Sequence, residues 1–118
     1  PGFGATQRLT RLIDISKAKL LIFTKKTLKA EETERIGIIS LITEPETLTN
    51  EARKIAHNII SKSHNAVMTA KKAIQEGIEM PKREALKAEE VLFATCFSHN
   101  DQKEGMGAFL EKRKPVFK

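Results

Sequence analysis

Apolar residues recur at helical spacing along most of this 118-residue chain. Near its start Leu9, Leu12 and Ile13 share one face of a short helix that Thr6 is placed to cap. Ser16 is placed to cap a second, over residues 17–23. The charged run KAEETERIG predicts another helical turn, with Gly37 as its stop. Residues 38–43, IISLIT, leave the helical period. Their length and β-branched content predict a short buried strand, broken by Glu44 and Pro45.

A longer helix is predicted over residues 49–61. Leu48, Ala52, Ile55, Ile59 and Ile60 fall to one side of it, and Arg53, Lys54 and Asn58 fall elsewhere. SKSHN reads as a connector, and AVMTAKKAIQEGIEM as the next helix, with Val67, Ala70 and Ile78 on its apolar side. Pro81 suits the first turn of a helix over residues 82–97. There Leu86, Glu90, Phe93 and Phe97 form a stripe whose single carboxylate points to a second surface near a polar site. Asn100 and Asp101 read as cap and first turn of a last helix through Met106, Phe109 and Leu110, stopped by Pro115. No repeat and no linker interrupts the pattern. One domain is expected, mainly α with one short strand.

Composition narrows the function classes only a little. Hydrophobic residues are 40% and charged residues 31%, which is the balance of a globular chain. No run approaches the roughly 18 apolar residues that read as a membrane span. Cys96 stands alone and has no disulfide partner within the chain, as befits a reducing compartment. Lys and Arg exceed Asp and Glu by 21 to 15, a net +6 that favours anionic partners without choosing among them. Lys17, Lys19, Lys25, Lys26 and Lys29 form one basic stretch; Lys112, Arg113, Lys114 and Lys118 form another. No nucleic-acid recognition motif accompanies them.

No self-contained catalytic set is visible. PGFGATQ lacks the Lys-Ser/Thr of a phosphate loop and the third glycine of a dinucleotide loop. It reads as a lead-in to a helix whose free N–H groups can hold a water or an anion. His57 and His64 have no carboxylate or thiol at ligand spacing. His99 reads as a surface turn residue, Cys96 as a small buried hydrophobe, and Glu104 as a carboxylate explained by the helix dipole.

Three stretches, in order and at matching spacing, carry a resemblance over the whole chain. PGFGATQRLTRLI resembles the P-G-x-G-G-T-Q-R-L-x-R segment of the enoyl-CoA hydratase (crotonase) family. AKLLIFTKKTLKAEETERIGIISLI is similar to that family's A-x-E-L-I-F-T-G-x-x-x-x-A-x-E-A-x-x-x-G-L-V. SHNDQKEGMGAFLEKRKPVF resembles its D-x-x-E-G-M-x-A-F-x-E-K-R-x-P-x-F.

The resemblance implies the C-terminal helical part of the crotonase (ClpP/crotonase-like) fold. Residues 1–43 would end its core, with the short strand, and residues 44–118 would form a helical trimerisation region. It implies hydration of 2-enoyl-CoA thioesters to 3-hydroxyacyl-CoA, with two glutamates as acid and base around a water. Two backbone N–H groups would hold the thioester oxygen. Those glutamates and amides would lie upstream of Pro1, so the chain alone is expected to be inactive. Gly2 matches the glycine whose backbone N–H helps hold the catalytic water, and Phe109 and Lys112 match residues lining the CoA site. No cofactor or metal is implied, because acyl-CoA is the substrate.

Implied partners are the upstream half of the fold and further copies in a trimer or hexamer, with neither membrane nor nucleic acid. The setting would be bacterial cytoplasm or mitochondrial matrix, with any targeting segment not observable. A non-catalytic assembly module and an enoyl-CoA isomerase are the alternatives, and a nucleic-acid-binding domain ranks last. The chain departs from the family pattern at Ala5 and Lys25, where glycine is usual, and at Thr33, where alanine is common. A methyl group at Ala5 would disfavour a positive φ there.

Overall fold

The computed structural model describes residues 2–117. Among them are seven helices and no strand. The chain divides into two compact units, Pro1–Leu48 and Thr49–Lys118.

The first unit holds α1 (Ala5–Leu12), α2 (Ile15–Thr24) and α3 (Ala30–Arg35). A tight turn precedes α1. Phe3 and Gly4 both have positive φ, 53° and 75°, and the Ala5 N–H closes the turn on the Gly2 carbonyl at 3.0 Å. Gly4, and not Thr6, is the N-cap, and no side chain caps the helix. Ala5 is already helical, so its methyl group meets no left-handed strain. Ser16 is likewise displaced as a cap. The Asp14 carboxylate accepts from the Ser16 and Lys17 N–H groups at 2.8 and 3.3 Å, and these bonds hold its pKa below the usual value. Helices α1 and α2 pack on each other, with Ile13 and Ala18 buried.

Gly37 does end α3. At φ +85° it lets its own N–H reach Glu34 O and the Ile38 N–H reach Thr33 O, at 3.0 and 2.9 Å. The strand expected at residues 38–43 does not form. A ladder needs a partner, and the described residues supply none. Instead the Ile42 N–H donates to Glu34 Oε1 at 3.2 Å, and Ile39 and Leu41 stay exposed. The expected mainly α architecture with one short strand is corrected to a helical one without strand.

The second unit holds α4 (Leu48–Ile60) from its second residue on, α5 (His64–Gly77), α6 (Lys82–Cys96) and α7 (Asn100–Leu110). Helices α5 and α6 pack against each other across the short connection at residues 78–81. Ser63, read as connector, is buried and caps α5. Its hydroxyl accepts from the Ala66 N–H at 3.1 Å and donates to Asp101 Oδ2 at 2.5 Å, joining the starts of α5 and α7. His99, not Asn100, is the N-cap of α7. Phe93 and Phe97 meet edge to face, with ring centroids 5.2 Å apart.

Few side chains are fully enclosed. The buried positions among the described residues are Ile13, Ala18, Ser63 and Ala108. The chain exposes 10100 Å². Two separately compact units of these sizes would expose roughly 7,700 Å² together. The excess lies partly on α4, where Leu48, Ile55 and Ile59 share a face and are 49–59% exposed. Leu86, Phe93 and Phe97 on α6 are similarly bare.

Candidate functional site

The end of α7 is built by a chain reversal. Lys112 takes φ +54°, the left-handed conformation that costs a non-glycine residue about 1 kcal/mol. With it, the Lys112 N–H reaches Phe109 O at 3.2 Å and the Arg113 N–H reaches Ala108 O at 3.0 Å. These are the two bonds that close a helix in the Schellman manner, usually with glycine at this position. Ala108 is buried beneath the turn, while Phe109 is 78% exposed and Lys112 is exposed. An apolar ring and an ammonium group therefore stand one turn apart on the surface.

An ionic clamp holds the reversed chain. Arg113 grips Glu104 with both ends of its fork, Nη1 to Oε1 at 2.6 Å and Nη2 to Oε2 at 2.9 Å. Its Nε donates to Glu111 Oε2 at 2.6 Å. Glu104 Oε1 also accepts from the Val116 N–H at 2.8 Å, which fixes the tail beyond Pro115. The dipole reading of Glu104 missed this role, because its partner lies nine residues away across a turn that no glycine marks. Arg113, grouped by sequence with the second basic stretch, is engaged in ion pairs.

The Arg113 fork and then the Val116 N–H draw the Glu104 pKa down to about 2, and the two carboxylates raise that of Arg113. Because the folded value lies below the ordinary 4.5, this stabilisation is fully present above pH 4.5 and is lost as pH falls toward 2. Glu104→Gln should therefore melt below the parent at neutral pH and converge with it on acidification. Thermal scans across pH check this; a gap that stays constant down to pH 2 would contradict it.

Phe117 closes the tail against the unit. With Phe93, Phe97, Cys96, Ser63 and Asp101 it lines a mostly apolar cavity of about 260 Å³. Cys96 is half-buried there, its Sγ 3.7 Å from Leu92 O. Of the other candidate residues, Gly2 lies in the exposed turn of the first unit, while Phe109 and Lys112 both lie at the end of α7 in the second. His57, His64 and His99 are exposed, and no cluster of three His, Cys, Asp or Glu among the described residues is suited to a metal. In the first basic stretch Lys26 is paired with Glu32 at 2.9 Å. Each of five cavities among the described residues is lined by at most one carboxylate: Glu32 in the first unit, and Glu89 or Asp101 in the second.

Residues 1–118 match the model of the enoyl-CoA hydratase/isomerase family. The chain belongs to that family. It is 47% identical over 114 residues to the short-chain-enoyl-CoA hydratase of Clostridium acetobutylicum, covering 97% of this chain and 44% of that protein. It is 46% identical over 117 residues to the crotonyl-CoA hydratase of Syntrophomonas wolfei, covering 99% and 45%. The crystal structure of an enoyl-CoA hydratase from Bacillus anthracis superposes on all of this chain with a TM-score of 0.91 and 37% identity, using 46% of its own length.

The chain thus spans less than half the length of these relatives. The one-strand, C-terminal description of the fold gives way to a helical one with no strand among the described residues. A probable enoyl-CoA hydratase of Dictyostelium discoideum, 43% identical, is named mitochondrial. No described helix here is long and apolar enough to cross a membrane.

Proposed function

We propose that this chain is part of an enzyme that hydrates 2-enoyl-CoA to 3-hydroxyacyl-CoA, and that it supplies groups that bind CoA rather than the acid and base. The observation that carries this reading is the end of α7. Lys112 is held in a strained backbone conformation next to an exposed Phe109, within the stretch that resembles the family's CoA-binding segment. The left-handed turn sets where the Lys112 side chain leaves the end of α7. An ammonium group suits a nucleotide phosphate, and an exposed ring suits the adenine or pantetheine portion. Gly2 contributes its backbone N–H to the water that is added. No cofactor is required, since the thioester is itself the activated group. The acid and base are glutamates outside these 118 residues, in keeping with the five cavities described, none of which is lined by two carboxylates.

The bare faces of α4 and α6 favour a second, compatible role in assembly, with other copies and with the rest of the fold as partners. The CoA reading is tested by Lys112→Ala in the native protein that carries this chain. The inhibition constant of CoA should rise about fivefold at low salt, the scale of one exposed charge pair, and less at high salt. An unchanged constant at low salt would remove Lys112 from the site.

A further inference from the structure

Lys112 does not hold its own conformation. Its left-handed φ of +54° is one that lysine rarely adopts; the Lys112 and Arg113 N–H bonds to Phe109 O and Ala108 O close the bend, and no side-chain bond of Lys112 among the described residues adds to them. The residues on either side are also fixed. Glu111 receives the Arg113 Nε, and Arg113 is gripped by both oxygens of Glu104. Beyond them, Val116 is tied to the same carboxylate. Glu104 therefore anchors the chain on the far side of the bend at two points, the Arg113 side chain and the Val116 backbone. Its side chain is 27% exposed and that of Arg113 41%, so both ends of the clamp are partly shielded from competing water. Glu104 sits within α7, Lys112 just past its end, and the bend joins them.

We infer that Glu104 is a positioning residue for CoA binding: through Arg113 it keeps the chain reversed at Lys112 and so aims the Lys112 ammonium at the coenzyme's phosphate. Glu104 touches no ligand itself in this scheme. Without its charge the Arg113 fork loses its bidentate partner and residues 113–116 lose their anchor, so the bend is left to the two backbone bonds of the helix end and the Lys112 side chain is less firmly directed. The inference rests on the CoA-binding reading of Lys112 given above.

The test is a double-mutant cycle in the native protein, with CoA itself as the probe and KM for an acyl-CoA as the second readout. Lys112→Ala alone should weaken CoA about fivefold. Glu104→Gln alone should weaken it by a similar factor, with the change falling on KM more than on kcat. In the Lys112→Ala background Glu104→Gln should add nothing, because the group it aims is gone. Arg113→Lys, which keeps the charge but not the fork, should give an intermediate loss. An effect of Glu104→Gln that is equal in both backgrounds would overturn the inference in favour of a general structural role. No effect of Glu104→Gln beside a clear effect of Lys112→Ala would overturn it too. No effect of Lys112→Ala would instead overturn the CoA-binding reading beneath it. Protection of the Arg113 amide from hydrogen exchange, read in the native protein, should fall in Glu104→Gln; retained protection would overturn the inference by showing that the bend does not depend on the clamp.

Discussion

Purified alone, the 118-residue chain should leave crotonyl-CoA unhydrated, at a rate indistinguishable from buffer. Adding water across the enoyl double bond needs one group to take a proton from the water and another to deliver one to the α-carbon. Each such positioned group contributes about 10²–10⁴ in rate. Donors at the thioester oxygen contribute about 10²–10³ each. Here Glu89, Asp101 and Glu32 line separate cavities, and each is the only carboxylate in its own. In each of these cavities one carboxylate would have to act alone as base and then as acid, without the second positioned group that contributes a further factor of about 10²–10⁴. A spectrophotometric assay of the enoyl thioester checks this. Turnover by the purified chain would show that an acid–base pair has been overlooked.

The same chain in isolation should associate. Ile55 and Ile59 are 51% and 49% exposed on α4, in line with Leu48. Covering the bare half of each isoleucine contributes roughly 1 kcal/mol, and an aspartate in the same place leaves an uncompensated charge in the contact. Sedimentation of the parent chain should show association at micromolar concentration. The double variant Ile55→Asp, Ile59→Asp should weaken it at least about 100-fold. Both positions face outward from their own unit, so the variant should keep its helical circular dichroism. A parent chain that stays monomeric over the same range would mean that these faces are not contact surfaces.

Helix placement was largely legible because it follows from the period of the apolar residues. The helix read over residues 82–97 is observed as Lys82–Cys96, and that over 49–61 as Leu48–Ile60. Caps were less legible. Thr6 and Ser16 have the right chemistry, but Gly4 and Asp14 lie nearer the true helix starts and took the role. The run at residues 38–43 has the composition of a strand. Composition does not supply a pairing edge, and the Ile42 N–H turned to Glu34 instead.

Phe109 and Lys112 were singled out only through family resemblance. Charge and periodicity place them on a helix end and say nothing of a ligand. The Glu104–Arg113 clamp was hidden because its bend is made at a lysine, where sequence gives no sign of positive φ. Glu104 and Arg113, flanking a helix stop and followed by Pro115, were the trace it left in the chain.

The most direct test is to incubate the native protein carrying this chain with crotonyl-CoA in heavy-oxygen water and to weigh the product. The expected product is 3-hydroxybutyryl-CoA with the heavy oxygen at its new hydroxyl. Unlabelled crotonyl-CoA recovered intact, or a shifted double bond with no oxygen added, would contradict the hydratase reading.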